Sequence, residues 1–174
     1  AMYRHILKLR NIGGGVYKLV PRSAAGNVMK SNWVFARKAR AHHEDGTKME
    51  DTARVVAGGY SQEYGVDYLD TYCPTLPQES DKANEAECLN SPGTIREIYD
   101  IKGAYYHSFP TFKQHMEQPP GMSETPESYA AVGLDALFLP DFKPVPGGSR
   151  DFVWALLRCM PGTKDAGHNF NDQI

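Results

Sequence analysis

An α+β fold is what this 174-residue sequence predicts, and three stretches carry the prediction. "NWVFARKAR" (32–40) opens with Trp33, Val34 and Phe35 and reads as a strand. Asp45-Gly46, within "HEDGT", supplies the positive φ of a tight turn, which makes Thr52 to Ala57 the returning strand of a hairpin. "TIREIYDI" (94–101) has the β-branched and aromatic character of a strand entering a core. With 41% hydrophobic and 23% charged residues, the chain has enough apolar surface for one core and too much for wholesale disorder.

The other elements are expected as follows. Ala1 to Gly15 carries apolar residues at Ile6, Leu7, Leu9 and Ile12 and ends in three glycines that favour a flexible turn, so residues 1–15 read as an N-terminal extension. No Lys-Ser or Lys-Thr follows those glycines, which excludes a phosphate loop. Val16 to Val20 reads as a short strand ended by Pro21. Pro77 to Leu89 favours a helix, yet its apolar stripe is only Ala83, Ala86 and Leu89, and five of its thirteen positions are charged. Such a helix packs weakly. Residues 123–151 contain four prolines and Gly147-Gly148 and read as a long loop with one short apolar segment, Leu134 to Leu139.

The net charge of -2 conceals a polarity along the chain. Residues 1–60 hold 11 Lys and Arg against 4 Asp and Glu, whereas the remainder holds 8 against 17. Any attraction for phosphate should therefore concentrate in the first third. An acid-poor, Arg-containing start also has the composition of a transit peptide, but its basic residues continue through strand-like sequence that belongs to the fold. Cys73, Cys88 and Cys159 are odd in number and lack paired spacing, so they read as free thiols in a reducing compartment. His42 and His43 are adjacent and would point to opposite faces of a strand, which suits a solvated turn better than a metal site. No apolar run approaches the roughly 18 residues of a membrane span. An intracellular protein is expected, in cytoplasm or nucleus, with an organelle left open.

The sharpest motif is "YDIKGAYYH" (99–107), followed closely by "HMEQPPGM" (115–122). Both blocks, in this order and near this spacing, resemble the Asp-Val-Lys-Asn-Ala-Phe-Leu-His and Met-Glu-Gln-Pro-Pro-Gly blocks of copia-type reverse transcriptases. Upstream, "NWVFARKAR" and "ARVVAGGYSQEYGVDYLDTYCPT" (53–75) resemble that family's Lys-Trp-Val-Phe-Lys and Ala-Arg-Leu-Val-Ala-Lys-Gly-Phe-Thr-Gln blocks. Downstream, "MPGTKDAGHNF" (160–170) is similar to its Leu-Tyr-Gly-Leu-Lys-Gln-Ala-Pro block, with Gly162, Lys164 and Ala166 in register.

The resemblance implies a fingers hairpin region at about 16–90 and an incomplete palm at about 91–174, which together make residues 16–174 a partial reverse transcriptase domain. It implies RNA or DNA template-primer and dNTP as partners, and Mg2+ as the cofactor. Asp100 would be the first metal carboxylate and the catalytic one, ending the 94–101 strand. The nucleotide would be met by Arg54, the backbone at Lys102 and Gly103, the sugar-selecting aromatic Tyr105, and Gly162 with Lys164 beneath it. Plain structural roles stand beside these: Asp100 capping a turn, Tyr105 filling a core, Arg54 pairing with Asp51 or Glu50.

The same resemblance implies a Tyr-x-Asp-Asp pair, and no Asp-Asp occurs in the sequence. A two-metal centre needs several converging carboxylates. The chain is therefore expected to be inactive alone, with weak or absent Mg2+ binding. The family's lysines flanking the fingers block are Thr52 and Gly58 here, and the Gln and Pro of the last block are Asp165 and Gly167. Two further readings remain: a non-enzymatic interaction protein or assembly subunit of retroelement origin, with a protein partner covering an exposed sheet edge, and a nucleic-acid-binding module using the basic first third.

Overall fold

The computed structural model describes residues 1–40, 48–122, 124 and 151–173, without the side chains of Tyr3, Arg40 and Lys48. The expected turn at 43–47, the His42-His43 pair and the Leu134 to Leu139 segment lie outside the described residues.

Residues 1–15 form part of the core. Helix α1 (Met2–Asn11) buries Ile6 and Leu9, three positions apart and hence on one face. Gly13, Gly14 and Gly15 all take positive φ (50°, 88° and 102°), which turns the chain so that Val16 N–H donates to the Leu9 carbonyl. Helix and first strand thereby meet at one point of the core.

Strand β1 (Tyr17–Pro21) runs antiparallel to β6 (Phe152–Leu156), from Tyr17 opposite Leu156 to Pro21 opposite Phe152. The sheet order is β1-β6-β5-β2, with β2 at Val28–Met29 and β5 at His115–Met116. Pro21 is tolerated because it ends an edge strand. Strand β6, unforeseen in the sequence reading, lies between β1 and β5, and Val153, Trp154, Ala155 and Leu156 are buried. The second sheet is the expected hairpin: β3 (Ser31–Arg40) and β4 (Lys48–Ala57) pair in register from Ser31 opposite Ala57 to Arg40 opposite Lys48. Ala53, Val55 and Ala57 alternate inward on β4, which leaves Arg54 facing out.

Helix α2 (Gln78–Asn90) forms where expected and, as its composition requires, buries no residue. Its link onward is electrostatic, with Arg96 2.6 Å from Asp81 and 4.0 Å from Glu85. The 94–101 segment corrects the sequence reading, because it forms no strand and leaves Ile95, Ile98 and Tyr99 about four-fifths exposed (79%, 80% and 80%). No described strand lies alongside it to complete a ladder, and β propensity is expressed only against such a neighbour. Ile98 and Asp100 are thus not core-strand residues. The core instead joins Ile6, Leu9, Val16, Tyr17, Met29, Val55, Tyr106, Met116, Trp154 and Met160. With helix α3 (Ala166–Gln173), the described residues hold three α-helices and two sheets, a mixed fold compatible with α+β. No described helix is long and apolar enough to cross a membrane.

Candidate nucleotide-binding face

Gly103 adopts φ 70°, ψ 42° at the start of a short 3-10 turn, Ala104–His107. Tyr106 folds back under it, donating its N–H to the Gly103 carbonyl at 2.9 Å. A Cβ on Gly103 would stand 2.9 Å from the Tyr106 ring, so both the left-handed backbone and the close approach call for glycine. Tyr106 is buried, and burial pushes its phenol up to about 12 against the opposing charge of Arg54.

Helix α1 crosses this turn. The Lys8 ammonium lies 3.5 Å from the position a Gly103 Cβ would take. His5, one turn earlier, packs edge-on against Trp33 and tilted against Tyr106, with ring centroids 6.4 Å away in both cases. Its Nε2 is buried without a hydrogen-bond partner among the described residues. Burial, then the charges of Lys8 and Arg54, lower the imidazole to about 4. It is neutral at pH 7.

Within residues 1–60, the pairing of the described arginine side chains singles out Arg54. Arg4 meets Glu50 at 2.5 Å, Arg10 meets Glu124 at 2.5 Å, Arg22 meets Glu117, and Arg37 meets Asp51 at 2.6 Å. Among the described residues Arg54 has no carboxylate partner, so the structural alternative of a pair with Asp51 or Glu50 is not realised. Lys102 is exposed beside Gly103. Tyr105 is 39% exposed rather than a core residue, and its ring stands edge-on to Phe170 at 6.3 Å. Lys8 thus lies beside the Gly103 turn, Arg54 acts by its charge on the buried Tyr106 within it, and Lys102 adjoins it in the chain.

The remaining candidates lie in other environments. Asp100 sits in exposed chain that is neither helix nor strand. Gly162 is part of a seam: Ala57 N–H donates to the Pro161 carbonyl at 2.8 Å, Gly59 N–H to the Gly162 carbonyl at 3.1 Å, and Gly162 holds φ 97°. Lys164 donates through Nζ to the Gln62 carbonyl at 3.1 Å and to the Tyr68 hydroxyl at 3.3 Å, and lies 4.8 Å above the Tyr68 ring. Gly162 and Lys164 thus fasten the last block to the end of the hairpin.

Sequence reasoning missed two buried polar groups. Glu124 accepts from Arg10, from the Tyr17 hydroxyl at 3.0 Å and from Trp154 Nε1 at 3.3 Å, while burial pushes its carboxyl upward. Asp165, which stands where the resembled family has Gln, accepts from Gln114 Nε2 at 2.9 Å and Asn169 Nδ2 at 2.9 Å. Gly167, the other departure, lies where a Cβ would come 3.2 Å from Cys73 Cβ. No spacing rule connects residues so distant in sequence. All three cysteines are free, and burial raises the Cys159 thiol.

Residues 14–138 match the family model described as "Reverse transcriptase (RNA-dependent DNA polymerase)". The chain belongs to that family. It is 30% identical over 111 residues, 63% of its own length, to the Retrovirus-related Pol polyprotein from transposon RE1 of Arabidopsis thaliana. Against the corresponding polyprotein from transposon TNT 1-94 of Nicotiana tabacum it is 27% identical over 121 residues, 70% of its length. An uncharacterized mitochondrial protein of Arabidopsis thaliana shares 40% identity over 58 residues, 33% of this chain and 32% of that one. The reverse transcriptase segment covers only 7% and 9% of the two polyproteins. No solved structure matches it. It is a fragment of a copia-type retroelement reverse transcriptase.

Reverse transcriptases generally use Mg2+. The described residues do not fit a two-ion centre, since they bring no three His, Cys, Asp or Glu together.

Proposed function

We propose that this reverse transcriptase segment binds the triphosphate of a dNTP through Arg54 and the Lys102-Gly103 turn, without completing phosphoryl transfer by itself. The observation that carries the reading is Arg54, the one arginine among the described side chains of residues 1–60 left without a carboxylate, on a face shared with a left-handed glycine turn. A guanidinium presents a planar fork to paired phosphate oxygens, and the exposed Lys102 at the turn adds a second cation for them. Tyr105, partly exposed next to that turn, would meet the sugar. Residues 16–90 then act as fingers and 91–174 as part of a palm, with template-primer as the further partner. Calorimetric titration with dATP tests this. Wild type should bind and Arg54→Ala should bind roughly tenfold more weakly, the scale of one charge-assisted contact. Equal affinity in the two proteins would refute it.

A second reading, an interaction protein, is favoured by the exposed apolar run Ile95, Ile98, Tyr99 and Ile101 following exposed Leu89. Sedimentation of wild type and Ile98→Glu distinguishes it. Self-association lost in the variant supports docking through this run, and a monomer in both discounts a second copy as its partner.

A further inference from the structure

We infer that Lys8, on a helix preceding the fingers hairpin, is a phosphate-binding residue that acts together with Arg54 across the Gly103 turn. The inference rests on the nucleotide reading above and extends its site to residues 1–15. Three observations support it. The Lys8 ammonium is directed over the Gly103 backbone, 3.5 Å from where a side chain would begin, and that position is kept empty by the glycine. Neither Lys8 nor Arg54 has a carboxylate partner among the described residues, although the adjoining Arg4 and Arg10 on the same helix are both paired. Both cations help lower the His5 imidazole after its burial, and its Nε2 has no hydrogen-bond partner among the described residues.

A polyanion would supply the counter-charge that neither cation finds among the described residues. An isolated surface lysine is ordinarily a solvated charge. Lys8 differs because its ammonium stands beside the Gly103 turn while Arg54, a second cation without a carboxylate among the described residues, acts on the same His5 ring. The ligand class that fits is an extended oligophosphate, long enough to touch an ammonium and a guanidinium at once, rather than a single orthophosphate.

The probe is inorganic tripolyphosphate, titrated into the whole chain with the His5 ring protons followed by NMR. Wild type should bind with a shift of the His5 resonances, orthophosphate should bind far more weakly, and Lys8→Ala should weaken tripolyphosphate binding roughly tenfold. Lys8→Arg should restore most of it, and Lys18→Ala, which removes one exposed charge from β1, should change little. Lys8 is exposed and alanine is a strong helix former, so an unchanged melting curve is expected for the variant. Wild-type affinity in Lys8→Ala alongside weakening in Arg54→Ala would overturn this inference and leave the nucleotide reading intact. Equal weakening in Lys8→Ala and Lys18→Ala would overturn it in favour of diffuse attraction, and no binding by wild type would overturn both.

Discussion

The Trp154 indole lies face to face with the Tyr17 ring, centroids 3.7 Å apart and planes 12° from parallel, and both side chains donate hydrogen bonds to the buried Glu124. This pair joins the central strand β6 to edge strand β1, and Glu124 joins both to Arg10 of α1. A buried charge so enclosed is costly to disturb.

Replacing Glu124 with Ala should therefore destabilise the fold by about 3 kcal/mol, within the range for breaking a buried ion pair from one side. The substitution removes the acceptor of the Trp154 N–H and the counter-charge that Glu124 supplies to Arg10. Glu117→Ala, whose partner Arg22 is over a third exposed, should cost less than about 1 kcal/mol. Urea midpoints of the two variants measure the contrast, and equal losses would contradict it.

Gly162 and Gly14 separate backbone strain from close contact. Both hold positive φ, 97° and 88°, yet a Cβ on Gly162 would lie 2.2 Å from the Ala57 carbonyl oxygen whereas Gly14 has open space. Gly14→Ala should cost about 1 kcal/mol for its left-handed backbone. Gly162→Ala should cost roughly 3 kcal/mol or more, since backbone must move at the seam between β4 and the 160–164 turn. Thermal unfolding of both proteins provides the comparison.

His5 gives the fold a definite response to acid. Its imidazole is lowered from 6.5 to about 4, so between these values the unfolded chain binds more protons than the folded one. Its contribution is fully present above about pH 6.5 and is lost progressively as the pH falls towards 4. Solvent screening at this half-buried site reduces the amount to about 1–2 kcal/mol. His5→Phe should flatten the stability profile in that window by this amount relative to wild type, as read from urea midpoints at pH 7 and pH 4.5. An unchanged difference between the two pH values would show that His5 titrates normally.

The hairpin was legible because its evidence is local: Trp33 to Arg40, a turn signal, and a return strand in alternation. Helix α2 was legible for the same reason, including its failure to bury anything. Helix α1 was missed although Ile6 and Leu9 stand at helical spacing, because a stripe of two residues, with Leu7 off its face, is a weak periodic signal. Strand β6 was missed because Val153, Trp154 and Ala155 form a continuous apolar run of the kind that marks a strand buried on both faces. The 94–101 segment was misread in the opposite direction, since Ile95, Ile98 and Tyr99 suit a strand only beside a neighbour. At the candidate site, motif register named Arg54, Lys102 and Gly103 as candidates. Lys8 and His5 belong to no motif, and only the packing of α1 brings them beside the turn.

The last expectation concerns chemistry. The chain as it stands should not extend a primer on an RNA template with magnesium or manganese, although its sequence blocks align with a polymerase family. In-line phosphoryl transfer depends on charge and positioning supplied by ions held between several carboxylates. Magnesium demands near-octahedral oxygen ligands and gives up water reluctantly, so a single exposed carboxylate holds it loosely. Asp100 is such a group, placed in exposed chain outside any strand. Asp67 does not join it: that carboxylate is buried, accepting from Asn27 Nδ2 at 2.6 Å and from Glu63 N–H at 2.9 Å. Asp70 is held by the Tyr72 N–H at 2.8 Å, which keeps its carboxyl below the usual range. The assay compares wild type with Asp100→Asn. Both should leave the primer unextended while dATP still binds at Arg54, which distinguishes an incomplete centre from an absent nucleotide site. Template-dependent incorporation by wild type that disappears in Asp100→Asn would mean that this segment assembles its catalytic ions by a route other than the carboxylates described.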